Sequence, residues 1–155
     1  MSFNNKRITC VIPARMSSGR FPGKPLAMIN GRELVLRVVD IAKQSKFIDE
    51  VIVATEDEVI ADLVEKEGHT AMITSTHYTC THRVSEVAQN LHTDYVFNLQ
   101  GDEPLTKPVW LDEMIEYGVT NEVDVLQSSR ALEDGEIEDE DVVKMVVNNN
   151  RVMHM

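Results

Sequence analysis

Short runs of β-branched and apolar residues alternate with amphipathic helical patterns along most of this chain. The predicted strands are residues 8–12, 50–54, 70–73, 95–99, 123–128 and 142–147. Strands separated by helices pair in parallel, because the intervening helix carries the chain back to the same end of the sheet. The alternation therefore predicts an α/β fold, with a mainly parallel sheet flanked by helices on both sides.

Four apolar stripes at helical spacing predict the helices between these strands. They are Leu34, Val38, Ile41 and Ala42; Val59, Ile60, Leu63 and Val64; Val84, Val87, Ala88 and Leu91; and Trp110, Leu111, Met114 and Ile115. Thr55 and Glu58 have the spacing of a capping box, which predicts that the second helix begins directly after its strand. Gly31 is expected to close a turn before the first helix.

A basic loop follows the first predicted strand. Residues 13–25 contain two arginines, one lysine, two glycines and three prolines, and residues 1–32 carry six Lys or Arg but no Asp or Glu. The whole chain has a formal charge of -11, so this basic segment stands out from the rest. Backbone N–H groups and helix N-termini converge where a parallel strand ends, and a basic, glycine-containing loop there can surround an anion. The pattern predicts a nucleotide triphosphate site.

The loop differs from the common P-loop. Only three residues separate Gly19 from Gly23, and Pro25 follows Lys24 where a P-loop has Ser or Thr. A Gly/Pro cluster by itself is also typical of a surface turn. Arg15, Arg20 and Lys24 favour phosphate binding over that alternative.

A second motif, Gln100-Gly101-Asp102-Glu103-Pro104, follows the predicted strand at 95–99. A carboxylate at the carboxyl end of a central strand lies near the ligand crevice of an open α/β sheet, where it can hold Mg²⁺ against phosphate oxygens. Asp102 is the predicted metal ligand, and Gly101 permits close approach of the backbone to the ligand. Glu103 is either an outer group of this site or an acid at a turn or helix start.

Three motifs resemble the 3-deoxy-manno-octulosonate cytidylyltransferases, also called CMP-Kdo synthetases. They are Pro13-Ala14-Arg15 with residues 18–26, Thr81-x-Arg83, and residues 98–104. The resemblance extends from about Ile8 to the last residue. It implies a Rossmann-like nucleotidyltransferase fold and transfer of CMP from CTP to a Kdo-like 3-deoxy-ulosonic acid, with Mg²⁺ as cofactor and pyrophosphate as the second product.

The resemblance also implies roles for single residues. Arg15 and Lys24 would neutralise the triphosphate and the departing pyrophosphate, with Arg20 assisting, and Asp102 would anchor Mg²⁺. The other implied nucleotide-binding residues are Pro13, Ala14, Thr81, Arg83 and Gln100.

The segment from His77 to Arg83 departs from the family element Ser-Gly-Thr-Glu-Arg. Cys80 stands at the glycine and His82 at the acid, so Cys80 would reshape the base pocket if that glycine were needed for positive φ or close approach. An alternative for His77, Cys80 and His82 is a zinc site, because thiolate and imidazole are good zinc ligands, but structural zinc takes four ligands and Cys10 is the only other cysteine. A Cys/His nucleophilic pair lacks an orienting carboxylate.

Composition narrows the class of protein. Residues 1–155 have the length of a single domain. No apolar run approaches the roughly 20 residues that cross a bilayer, and no signal-peptide core is present, so a cytoplasmic protein without a membrane partner is expected. The net acidity disfavours a nucleic-acid partner, and the two cysteines are expected to be reduced.

Seven acids among residues 133–141 predict a solvated loop.

Family members continue beyond Met155, and that continuation holds most of the sugar-acid pocket, a second metal aspartate and much of the dimer contact. The chain is therefore expected to be an N-terminal nucleotide-binding portion, with a homodimer as one assembly open to it. Three functions stay open: the cytidylyltransferase, a module that binds CTP and Mg²⁺ without turnover, and a nucleotidyltransferase for another nucleotide or sugar acid.

Overall fold

A computed structural model describes residues 3–17, 21–148 and 151–154. The chain divides into two units, residues 1–125 and residues 126–155. The first contains β1 (Ile8–Pro13), β2 (Met28–Ile29), β3 (Arg32–Glu33), α1 (Leu34–Ala42), β4 (Glu50–Thr55), α2 (Glu58–Lys66), β5 (Thr70–Ile73), α3 (Cys80–Ala88), β6 (Tyr95–Asn98) and α4 (Pro108–Thr120). The second contains β7 (Val146–Asn148) and β8 (Arg151–His154).

The main sheet has four parallel strands in the order β5-β4-β1-β6. In its centre, Cys10 of β1 lies opposite Val51 of β4 and Phe97 of β6. Every residue of β1 is buried, which explains its uninterrupted apolar sequence, because a central parallel strand is covered on both faces. The predicted parallel α/β architecture is confirmed.

Helices cover both faces of this sheet. On one face, Cys10 and Ile12 pack with buried residues of α1, α2 and α4. On the other face, the adjacent strand residue Val11 packs with Val84 and Val87 of α3. Successive strand residues point to opposite faces, so one apolar strand supplies both cores.

The sequence misplaces the strands after α4. Residues 123–128 form no strand, and Val125 is 86% exposed. The backbone N–H of Val123 donates to the Gly118 carbonyl at 2.9 Å, so the chain still wraps the end of α4. The β propensity of residues 123–128 has no effect here, because a strand also needs a pairing partner and a buried face. Likewise, the strand predicted at 142–147 begins only at Val146.

Two helix predictions also need correction. The second helix begins directly after its strand, as predicted, but its N-cap is Asp57 and no side-chain capping bond forms there. Thr55 instead accepts a hydrogen bond from the Asp57 backbone N–H, so the capping box is wrong. On α4, Leu111 and Ile115 are buried, whereas Trp110 is 48% exposed beside Lys107 and does not pack onto the sheet.

A β-hairpin with a two-residue turn precedes α1. Its strands were not predicted from the sequence. Asn30 and Gly31 both have positive φ, at 47° and 79°, and they connect β2 with β3. Asn-Gly is the preferred pair for such a turn, because both central positions require positive φ. The prediction that Gly31 closes a turn is confirmed.

In the second unit, β7 and β8 pair in an antiparallel arrangement. Residues 133–141 contain turns and are mostly exposed, in agreement with a solvated loop. Glu136 pairs there with Arg130. Among the described residues, none of the helices has the length and apolarity required to cross a membrane.

Candidate functional site

The first motif emerges from the carboxyl end of the central strand. Ala14 is buried and its backbone N–H donates to the Ala54 carbonyl at 2.9 Å, which extends the pairing of β1 with β4 by one residue. The next residue, Arg15, is exposed. The backbone N–H of Met16 then donates to a carboxylate oxygen of Asp57 at 2.7 Å, so the N-cap residue of α2 holds the start of the loop.

The end of the basic loop is anchored to its start. The backbone N–H of Gly23 donates to the Met16 carbonyl at 2.9 Å, and Gly23 has a φ of 74° that favours glycine. A single 3-10 turn follows over Lys24–Leu26, with Pro25 buried. Arg20 lies outside the described residues, and its predicted role stays a prediction.

Lys24 and Asp102 bring the two sequence motifs together. The Lys24 ammonium lies 2.6 Å from a carboxylate oxygen of Asp102, and both side chains are partly exposed. Parallel strands end at the same edge of a sheet, so the loops after β1 and β6 meet although they are distant in sequence. This edge therefore presents basic groups and an oxygen ligand in the crevice where α/β proteins bind nucleotides.

The backbone at Gly101 approaches β1 closely. A Cβ atom added to Gly101 would lie 2.7 Å from the Pro13 carbonyl oxygen, closer than real Cβ contacts come. The predicted close approach is thus present, but the neighbour is the protein's own first motif. Glycine is required here so that the two motifs can meet.

The other residues of the second motif lie around Asp102. The Gln100 side chain donates to the Asn98 side-chain oxygen at 3.2 Å. Glu103 is exposed in a turn, where its backbone N–H donates to the Gln100 carbonyl. Because α4 begins only at Pro108, Glu103 does not lie at a helix start, and its predicted role as an outer group of the site stays a prediction.

A small cleft adjoins the first motif. Its lining residues are Pro13, Ala14, Arg15, His77, Thr79, Cys80 and Arg83, around a cavity of about 20 Å³. The structure thus brings together four of the residues predicted to bind nucleotide, namely Pro13, Ala14, Arg15 and Arg83. Thr81 is exposed on α3 and does not line this cleft in the part of the chain described.

Arg83 is buried in a polar network. Only 2% of this residue is exposed; Nη1 donates to the Thr74 hydroxyl, and Nη2 lies 3.4 Å from Oε2 of Glu56. Burial raises the pKa of Glu56, but a hydrogen bond from Thr76 and the Arg83 charge outweigh it, so the pKa is below its ordinary value. Sequence analysis missed Glu56, because no local motif identifies the partner of a buried arginine.

Cys80 is the first residue of α3, not part of a loop, and Thr79 caps this helix. The Thr79 hydroxyl oxygen accepts from the His82 backbone N–H at 3.2 Å. Cys80 is not among the residues with positive φ, so cysteine is accommodated without backbone strain. The positive-φ condition therefore does not apply at Cys80, although Cys80 does line the cleft.

The zinc alternative fails on geometry. In the part of the chain that the structure describes, no group of three or more His, Cys, Asp or Glu side chains is placed to hold a metal ion. His77 instead pairs with Glu86 through Nε2, and the rings of His77 and His82 lie 6.5 Å apart between centroids. Neither Cys10 nor Cys80 is in a disulfide, in agreement with the predicted reduced thiols.

Residues 9–153 match a family model described as cytidylyltransferase. The chain belongs to the cytidylyltransferase family. It is 40% identical over 147 residues to the 3-deoxy-manno-octulosonate cytidylyltransferase of Anaeromyxobacter sp. (strain Fw109-5), which covers 94% of this chain and 60% of that relative. It is 46% identical over 110 residues to the enzyme of the same name from Geobacter metallireducens, which covers 70% of this chain and 43% of that relative.

Solved cytidylyltransferase structures have the same fold. The structure of CMP:2-keto-3-deoxy-manno-octonic acid synthetase complexed with CTP matches with a TM-score of 0.74 and 35% identity, over 76% of this chain and 49% of that one. A cytidylyltransferase from Leptospira borgpetersenii matches with a TM-score of 0.67 and 28% identity, over 77% of this chain and 51% of that one. The predicted resemblance and nucleotidyltransferase fold are confirmed, and the chain spans about half the length of the relatives it matches.

Proposed function

We propose that this chain binds CTP and supplies the nucleotide site for transfer of CMP to a 3-deoxy-ulosonic acid such as Kdo. In this reaction a sugar hydroxyl oxygen bonds to the α-phosphorus of CTP and its proton passes to solvent. The bond from the α-phosphorus to the bridging oxygen breaks, and pyrophosphate leaves. The observation that carries the proposal is the contact of Lys24 with Asp102 at the carboxyl edge of the sheet, where the loop after β1, which also holds Arg15, meets the loop after β6.

Arg15 and Lys24 are the proposed triphosphate ligands, with Arg20 assisting. Phosphoryl transfer depends mostly on positioning and on neutralising charge at the leaving group. Lys24 has a preformed partner in Asp102, so its ammonium is already oriented before an anion arrives. When triphosphate binds, phosphate oxygens take the place of the Asp102 oxygen as its acceptors.

Asp102 is the proposed Mg²⁺ ligand. Its carboxylate is about half exposed and supplies the hard oxygen donor that this cation prefers. Since the described residues form no complete metal cluster, the remaining ligands would be phosphate oxygens and water, as is common for Mg²⁺. When bound, the cation would withdraw electron density from the α-phosphorus and neutralise phosphate charge.

The cleft beside Arg15 is the proposed start of the cytidine pocket. Pro13 and Ala14 form one wall, and Gln100 and Thr81 are the remaining proposed contacts from the sequence motifs. Arg83 contributes by holding that pocket in shape, since its guanidinium is committed to Thr74 and Glu56. Residues 1–155 would act as one nucleotide-binding portion, and a homodimer is one assembly in which they would do so.

A second candidate is a nucleotidyltransferase with another base or acid preference. It is favoured by Cys80, whose side chain occupies part of a cleft of only about 20 Å³. The two candidates share the triphosphate site and differ at the base and acceptor.

Calorimetric titration of the full chain with CTP, UTP and ATP, with and without Mg²⁺, tests the proposal. The expected result is Mg²⁺-dependent binding with preference for CTP, followed by pyrophosphate release when Kdo is added. Preference for UTP or ATP would favour the second candidate. Absence of binding to any nucleotide by a chain with a cooperative thermal transition would contradict the nucleotide site itself.

A further inference from the structure

The loop between β5 and α3 forms one wall of the cleft through His77 and Thr79. Glu86, two turns into α3, reaches back to this loop. Its carboxylate accepts from the Ser75 backbone N–H at 3.1 and 3.2 Å, and it pairs with Nε2 of His77. The same carboxylate lies within 3.5 Å of the Ser75 hydroxyl.

The negative charge of Glu86 determines which ring nitrogen of His77 carries a proton. Hydrogen bonds from His77 and from the Ser75 backbone hold the pKa of Glu86 below its ordinary value, so the group is a carboxylate at neutral pH. A carboxylate only accepts hydrogen bonds, and Nε2 of His77 must therefore carry the proton. Glu86 thus fixes both the position of the imidazole ring and which of its nitrogens is protonated.

Two further side chains of α3 hold the same loop. Arg83 donates to the Thr74 hydroxyl, and His82 lies 3.0 Å from the Thr79 hydroxyl through Nδ1. Residue 86 lies three positions after residue 83 and four after residue 82, which places it on the same side of the helix as both. The loop is therefore bound to α3 at its start, its middle and its end, and the middle contact fixes the imidazole of His77, which lines the cleft.

We propose that Glu86 is a positioning residue that acts through His77 to organise the nucleotide cleft. This inference rests on the proposed nucleotide site. His77 lines the cleft, whereas Glu86 is not among the residues that line it. Without the carboxylate, the imidazole ring loses its fixed orientation and its preferred protonated nitrogen, and the cleft must be reorganised each time nucleotide binds.

The main test compares the CTP affinity of the unmodified chain with that of Glu86→Ala, Glu86→Gln and the control Glu65→Ala, an exposed acid on α2, which packs on the other face of the sheet. Loss of a hydrogen bond to a charged group predicts roughly tenfold weaker CTP binding for Glu86→Ala. Glu86→Gln retains an oxygen acceptor and is expected to restore part of that affinity. The control is expected to bind CTP like the unmodified chain.

A double-mutant cycle separates action through His77 from a general structural role. In a His77→Ala background, Glu86→Ala is expected to change CTP affinity by less than about twofold, because the group on which Glu86 acts is gone. Equal effects of Glu86→Ala in both backgrounds would overturn the inference. Should Glu86→Ala lower the melting temperature enough to unfold the chain, Glu86→Gln takes its place in the cycle.

Nitrogen-15 NMR of His77 provides a readout that a purely structural role would not move. At pH 8 the unmodified chain is expected to show Nε2 protonated, and Glu86→Ala a mixture of the two neutral forms. An unchanged His77 spectrum, or unchanged CTP affinity in a chain that binds CTP, would overturn the role of Glu86. Failure of the unmodified chain to bind any nucleotide would instead overturn the proposed function, so the two failures are distinguishable.

Discussion

The Lys24 ammonium lies 2.6 Å from the Asp102 carboxylate across a sequence separation of 78 residues. Each residue reaches the carboxyl edge of the sheet on its own loop, and Gly101 allows the second loop to touch the first. The pair places an ammonium group, which can bind phosphate, next to a carboxylate, which can bind a metal ion. This relationship is the basis for the first two predictions.

Replacing Lys24 with Ala removes the ammonium and leaves Asp102 without its partner. CTP binding is expected to weaken by about ten- to hundredfold, because a charge-assisted hydrogen bond to phosphate is lost. Where turnover occurs, pyrophosphate release is expected to slow by roughly 10²–10³-fold. Calorimetry and a pyrophosphate assay measure the two effects. Lys66→Ala on the exposed end of α2 is the control, and equal binding by both variants would remove Lys24 from the site.

Replacing Asp102 with Asn tests the metal ligand separately. The amide is a poorer Mg²⁺ ligand than the carboxylate, and Lys24 is released from its ion pair. CTP binding without Mg²⁺ is therefore expected to stay the same or tighten, while the enhancement by Mg²⁺ falls below about twofold. Glu103→Gln, at the adjacent exposed acid, is expected to retain the enhancement. If Glu103→Gln loses it and Asp102→Asn does not, the metal ligand is Glu103.

Replacing Gly101 with Ala places a methyl group against the Pro13 carbonyl. The neighbour is backbone atoms of a central strand, which cannot move aside as a flexible side chain would. The free energy of unfolding is expected to fall by about 1–3 kcal/mol in urea titrations. Ser85→Ala, on the exposed side of α3, is expected to have little effect. Unchanged stability of Gly101→Ala would mean that the two motifs lie further apart than described.

Alkylation distinguishes the two cysteines. Cys10 is fully buried, and burial raises the pKa of its thiol to about 12. Cys80 is partly exposed in the cleft. Because the thiolate is the reactive form, iodoacetamide at pH 8 is expected to modify Cys80 and leave Cys10 intact. CTP with Mg²⁺ is expected to slow the modification of Cys80, as measured by mass spectrometry; equal rates with and without saturating CTP would place the base elsewhere.

Acid is expected to weaken the fold through Glu56. Its folded-state pKa is below the ordinary value of 4.5, so the associated stability is fully present above pH 4.5 and is lost as the pH falls through the folded-state pKa. Glu56→Gln removes this contribution and leaves the buried Arg83 charge unpaired. The variant is expected to lose about 3 kcal/mol at pH 7 and to change less than the unmodified chain between pH 5 and pH 3. Parallel urea curves at both pH values would contradict this assignment.

Local patterns were sufficient for the α/β framework and for the two motifs that form the site. A continuous apolar run such as β1 has few alternatives to a buried parallel strand, and helical stripes such as that of α1 have a period that a strand cannot satisfy. The turn at Gly31 could also be predicted from the sequence, because the positive φ that favours glycine is required by the turn itself. These features depend on neighbours close in sequence, and the structure confirms them.

Other features depended on contacts that no local pattern contains. Val125 has strand propensity but no strand partner, and Asp57 caps a helix where a Thr-x-x-Glu pattern pointed to Thr55. The partners of Arg83 and His77 are likewise set by side chains that meet only after the helices pack on the sheet. The sequence by itself determined the parallel fold, the basic loop after β1 and the position of the Asp102 carboxylate after β6, since each follows from periodicity or residue chemistry. Only the tertiary structure decided which charges meet, because the pairing of side chains distant in sequence depends on how strands and helices align in space.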